Sequence, residues 1–145
     1  MTIGKKYRFG KYTWTLLDIQ DGKGLFLLSG LLKERKAFHD TPKAVEWASS
    51  DLGRWLRRNW YHDNFTFEQR FKIKIATLLS VEEYQKYHHL IPKVSHWWWL
   101  RDSGYHKLLA AFVRRDYLHK NGENITHSLG GVRPALWVEL PKGDG

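Results

Sequence analysis

Cysteine is missing from all 145 residues. Its absence rules out thiol nucleophiles, disulfides and cysteine-ligated zinc, and it suits a reducing, cytoplasmic setting. Nowhere do about 18 apolar residues run together, so no transmembrane helix is expected. Met1-Thr2-Ile3-Gly4-Lys5-Lys6 lacks the apolar stretch of a secretory signal. No glycine-rich phosphate loop occurs, since Gly22 and Gly24 are accounted for by a hairpin. Acidic residues are few, 15 against 24 Lys and Arg, which leaves a formal charge of +9. Such a surplus favours nucleic acid, an anionic protein surface or a phosphorylated ligand, or it describes only a soluble basic protein. What the chain does have is aromatic weight. With 42% hydrophobic residues, 15% aromatics and eight tryptophans, it can bury a core and still have indoles left for a surface.

The stretch Trp97-Trp98-Trp99-Leu100-Arg101-Asp102-Ser103-Gly104 organises the rest. On a strand, Trp97 and Trp99 share one face and Trp98 takes the other. Indoles on both faces require a sheet covered on both sides, its end opening through the polar turn that follows. Upstream, Tyr12 to Gln20 reads as a strand with Tyr12, Trp14 and Leu16 on one face and Thr13, Thr15, Leu17 and Ile19 on the other. Asp21-Gly22 supplies the two positive-φ residues of a tight hairpin, and Leu25-Phe26-Leu27-Leu28 returns as the partner. Residues 29–43 read as a short strand or irregular segment. Downstream, Leu108 to Val113 is apolar enough for a strand. Asn121-Gly122 signals a second turn, joining Tyr117-Leu118-His119 to Asn124-Ile125-Thr126. Gly130-Gly131 bends the chain into a last strand, Val132 to Leu140, with Pro134 at its start, at an edge or at a bulge.

Three helices are expected. Ser49 or Ser50 caps one running to about Tyr61, with Leu52, Trp55, Leu56 and Asn59 on one side and Arg54, Arg57 and Arg58 opposite. Thr66 caps a second, short one that turns Phe67, Phe71 and Ile75 inward, ahead of a buried Ala76–Leu79 strand. Ser80-Val81-Glu82-Glu83 is a capping box opening a third, which carries Val81, Tyr84 and His88 on one stripe.

The Trp14 hairpin, the helix beginning Ser50-Asp51-Leu52-Gly53-Arg54-Trp55-Leu56, the Trp97-Trp98-Trp99-Leu100-Arg101 strand and the closing Gly131-Val132-Arg133-Pro134-Ala135-Leu136 occur in that order. Together they resemble an uncharacterised bacterial and phage domain family marked by W-W-L-R-S-P-G and G-V-R-P-A-L segments. The resemblance runs from Tyr7 to Leu140. It implies a single α+β domain of the C-type-lectin-like kind, with a twisted antiparallel sheet, two to three flanking helices, paired N- and C-terminal strands and a binding face in the later part of the chain. The tryptophan triplet and the Gly-Val-Arg segment would then be neighbours in one sheet. Here Asp102-Ser103-Gly104 replaces the family's Ser-Pro-Gly, so the turn after Arg101 lacks its stiffening proline. Relatives that generate formylglycine work through cysteine, which this chain lacks. The Glu-Pro-Asn, Gln-Pro-Asp and Trp-Asn-Asp arrangements of calcium-dependent sugar binding are missing too.

Arg101 and Arg133 each follow an apolar segment and must be paired if buried. They either bond carbonyls or an acid such as Asp102, locking the closing strand, or face an anionic ligand. Asp102, Ser103 and His106 lie on one turn, whereas a triad assembles from distant elements. The eight histidines are scattered, and His88-His89 lack the i, i+4 spacing of a zinc pair.

The expectation is thus one domain spanning 1–145, with a core of about 7–140 and a loose tail at 141–145, and with no enzymatic activity, metal or cofactor. It would be a cytoplasmic binding domain that recognises a protein or other anionic macromolecule. Trp97, Trp98 and Trp99 form the floor of the site, with Arg101, Asp102, Tyr105, His106 and Arg133 beside it. Arg54, Arg57, Arg58, Arg114 and Arg115 contact the anionic partner. The alternative is a phage-encoded protein that binds nucleic acid or inhibits a host-defence nucleoprotein complex.

Overall fold

The computed structural model describes residues 1–143; the last two residues of the expected tail lie outside them. The chain forms one α+β domain with two antiparallel sheets and few helices. No described helix is long and apolar enough to cross a membrane.

The first hairpin follows from local chemistry. β1 (Lys6–Phe9) feeds β2 (Tyr12–Gln20), which pairs with β3 (Lys23–Leu28) so that Gln20 faces Lys23 across a two-residue loop. Asp21 and Gly22 have φ of 51° and 73°, the mirror-image turn whose twist matches the strands it joins. The strict alternation expected for β2 breaks at Leu17. Leu16 pairs with Phe26 and Asp18 with Leu25, leaving Leu17 as a bulge. The extra residue moves Ile19 to the face of Trp14 and Leu16, and it sets Asp18 beside Tyr87 on the face of Leu17.

After an irregular segment and a 3₁₀ turn at Trp47–Ser49, Ser50 accepts the Gly53 amide and opens a helical run over residues 51–64. It comprises α1 (Asp51–Trp55), a π-turn at Leu56–Trp60, where the Tyr61 amide reaches back to the Leu56 carbonyl, and α2 (Tyr61–Asn64). The wider turn rotates the face that follows it. Leu52, Leu56 and Trp60 are buried, and Asn59, expected inward, is exposed.

Thr66 and Gln69 form a capping box for α3 (Phe67–Lys72). The orientation expected for this helix is overturned: Phe67, Phe71 and Ile75 are 74%, 72% and 52% exposed. The i, i+4, i+8 spacing fails because the helix ends at Lys72 and β4 (Ile73–Thr77) begins, so Ile75 belongs to a strand, two residues after buried Ile73. Ser80 and Glu83 form the expected box for α4 (Val81–Tyr87), whose inner residues are Tyr84 and Tyr87; His88 is exposed.

The tryptophan strand is β5 (Trp98–Ser103), followed by β6 (Leu109–Arg114) and β7 (Tyr117–Asn124). The turn expected at Asn121-Gly122 lies within β7, where Gly122 (φ 95°) packs against the Ala110 carbonyl. The hairpin instead turns at Arg115-Asp116, both at positive φ, with Arg114 facing Tyr117. The chain closes with β8 (Ala135–Glu139), Pro134 just ahead of it.

The strands form a five-stranded sheet ordered β1-β2-β3-β8-β4 and a three-stranded sheet ordered β5-β6-β7, in place of the one sheet expected. β1 pairs only with β2, so the terminal strands share a sheet without touching; it is β3 and β4 that flank β8. The tryptophan triplet and the Gly-Val-Arg segment do meet, through an isolated parallel bridge. Trp99 N–H donates to the Gly131 carbonyl and Gly131 N–H to that of Trp97, both at 3.1 Å.

Both faces of β5 are covered. Trp99 lies in a cluster with Trp14, Leu16, Phe38, Leu56 and Trp60, and Trp98 in another with Leu17, Leu27, Tyr84 and Val113. Ala110 and Phe112 join the first cluster and Ala111 and Val113 the second, as strand alternation requires.

Candidate functional site

The floor expected from the triplet is interior. Trp98 and Trp99 are 2% and 0% exposed, so neither ring offers area to a partner. The Trp99 indole donates to the Lys36 carbonyl at 2.8 Å. Trp98 packs edge-on to Tyr84 and under the Arg133 guanidinium, 4.9 Å from its centroid. Trp97 is half-buried, 4.9 Å from Trp99 and flanked by His96, Phe112 and His127. Among the described residues no tryptophan is exposed, and the exposed Phe and Tyr residues are Phe67, Phe71, Tyr105 and Tyr117.

The two signature arginines hold the scaffold. Arg133, 1% exposed, donates from Nε to the Leu28 carbonyl and from Nη2 to those of Ser29 and Pro92, at 2.7–2.8 Å. Burial pushes its guanidinium down to about 10, against which Tyr84 and Asp116 act only weakly; it stays charged at neutral pH. Arg101 donates to the Leu78 carbonyl at 2.8 Å and pairs with Glu83 at 2.6 Å, while Asp102 accepts the Val81 amide at 2.8 Å. Both side chains thereby fasten the strand to the start of α4. Of the 97–106 stretch, only the tip carrying Tyr105 (82% exposed) and His106 faces solvent. Gly104 sits so close to the Asn121 carbonyl that a Cβ has no room there, so glycine keeps the loop closed without a proline.

The expected cations fall into two groups. One group is on the helical run. Arg54 and Arg57 donate to the Ser49 and Ala48 carbonyls at 3.2 and 2.9 Å, while the Arg58 side chain makes no hydrogen bond or ion pair among the described residues. Loop 104–108 adjoins this group, because Lys107 pairs with Glu46 at 2.7 Å and its carbonyl accepts the Val45 amide. The other group is the β6–β7 tip. Arg114 and Arg115 are exposed and their side chains make no hydrogen bond or ion pair among the described residues, and Tyr117 beside them is 73% exposed. The six residues of β6 separate loop 104–108 from the tip by about 20 Å at 3.3 Å per residue.

Among the described residues no three His, Cys, Asp or Glu converge as a metal site would require. Three exposed apolar residues were not expected at a surface: Phe67, Phe71 and Ile75. Their spacing suits a buried face as well as an exposed one, so nothing in the sequence marked them. No family model matches the chain, and neither a curated protein nor a solved structure matches it.

Proposed function

We propose that the chain is a non-catalytic binding domain of C-type-lectin-like architecture that recognises an acidic macromolecule, a protein in the first place. The architecture is supported by the pairing of the N-terminal hairpin with closing strand β8, by helices on the flanks, and by a second sheet that opens on the tryptophan strand. The reading is carried by the β6–β7 tip. Two guanidiniums without carboxylate partners project there, and Arg115 holds φ at 50°, a conformation that asparagine or glycine adopts at lower cost. An arginine kept in that position at a cost of about 1 kcal/mol is explained by what its guanidinium contacts. The arginines near loop 104–108 extend the positive surface.

Tyr117 beside these arginines also suits base stacking next to phosphate contacts, the nucleic-acid alternative. The test is capture from lysate with and without nuclease, comparing the chain with an Arg114→Glu/Arg115→Glu variant. Nuclease-resistant capture of an acidic protein, weakened by salt and lost in the variant, is the expected result. Capture that disappears with nuclease assigns the tip to nucleic acid, and equal capture by the variant overturns the reading.

A further inference from the structure

β4 ends the five-stranded sheet. On its inner side it pairs with β8; on its outer side no backbone group from Lys74 to Thr77 makes a hydrogen bond among the described residues. An edge of this kind is a template for a further strand. Beside it runs a groove of about 340 Å³ lined by Arg57, Tyr61, Ile73, Lys74, Ile75 and Ala76. Ile75 is half in solvent, and Phe71, whose ring lies 5.3 Å from Lys74 Nζ, is 72% exposed.

We infer that this groove docks an extended peptide of a partner protein, alternating apolar and acidic residues, as a sixth strand on β4. Its backbone would take up the open edge, one face of its side chains would meet Phe71 and Ile75, and its carboxylates would meet Arg57 and Lys74. The charge on these elements favours an acidic occupant. Arg57, Lys72 and Lys74 stand against Glu68 and Glu139, and Lys74 already holds Glu139 at 3.2 Å. A second copy of the chain is the poorer fit, since it would set one +9 molecule against another and align Lys74 with its own kind. The bulge at Lys74 likewise discourages self-pairing, while leaving Ile75 to Thr77 in regular register. A bilayer would use the phenylalanines but has no backbone to offer the edge. The groove shares Arg57 with the positive surface near loop 104–108, but it does not involve the β6–β7 tip.

The test titrates the full chain into a fluorescein-labelled decapeptide of alternating valine and glutamate, with amide hydrogen exchange on the complex. Saturable binding with slowed exchange at Ile75 to Thr77 is expected. Phe71→Ser/Ile75→Thr and, separately, Arg57→Glu weaken it by about tenfold, as loss of an apolar anchor or a charge partner does. The altered apolar side chains are exposed, so circular dichroism should show an unchanged fold. Arg114→Glu/Arg115→Glu leaves this binding intact, which separates its failure from that of the tip. No binding, equal binding of a valine–lysine decapeptide, or binding without protection at Ile75 to Thr77 overturns the inference. So does Phe71-dependent sedimentation with phosphatidylserine vesicles in place of peptide binding.

Discussion

Arg133 is a charge buried without a carboxylate, held by three carbonyls and a tryptophan face. The planar fork is what makes this possible. Lysine offers no such fork and no flat surface to stack, so Arg133→Lys should lower unfolding free energy by about 3 kcal/mol in urea melts, more than a surface Arg→Lys change. Asp18 is the counterpart on the same side of the sheet. Burial raises its carboxyl, but hydrogen bonds from Tyr87, Gln20 and the Ile19 amide, with Lys86 nearby, outweigh this and hold it below the usual aspartate range. Burial and Asp18 in turn push the Tyr87 hydroxyl up, so it remains a donor. A folded-state carboxyl held low adds stability above its unfolded value, and that stability is lost as pH falls through the folded one. Asp18→Asn should therefore be less stable than the parent at pH 7, with the gap closing on acidification below the ordinary carboxylate range. The need for Arg133 to be paired was legible from its place after an apolar segment; Asp18's place was not, because it depends on a one-residue bulge.

At the scale of elements, local chemistry was legible where side chains bond to their own backbone. Ser50, Thr66 and Ser80 cap the helices expected of them, and Asp21-Gly22 turns as its residues dictate. Asn121-Gly122 shows the limit. The pair permits a turn, but here its glycine serves a close approach to Ala110 within β7, and the hairpin turns ahead of β7 on Arg115-Asp116, a pair without glycine. That tip makes its own prediction. Arg115→Gly relieves the left-handed backbone and should raise stability by about 1 kcal/mol in thermal melts, while binding of the acidic partner falls. A variant that gained stability and kept its binding would leave the arginine without a purpose.

Across the whole molecule, the two sheets are joined at Gly130-Gly131. The Lys36 amide donates to the Gly130 carbonyl at 2.8 Å, the Trp99 indole donates to the Lys36 carbonyl, and Gly131 bridges to Trp98. A Cβ on Gly130 would overlap Trp99 Nε1. Gly130→Ala should force the indole out of place and cost about 2–4 kcal/mol. Unfolding should stay a single transition, since both clusters draw residues from both sheets. The bend was legible in the glycine pair; the triplet and the closing segment, expected side by side in one sheet, meet only through an isolated bridge between two sheets. Strand order was not legible. Ala135 to Val138 is apolar on both faces, which says that the strand is covered but not by which neighbours.

The position of β8 between β3 and β4 bears on how the molecule is made. The seven strands and the helices before it leave the ribosome first, so until residues 135–139 arrive the nascent sheet holds a vacant slot with open edges on both sides. A chain halted before that strand would be a receptor for it, and the missing piece supplied as a separate peptide should restore the fold. The same vacancy, left unfilled, is where newly made copies would snag on one another.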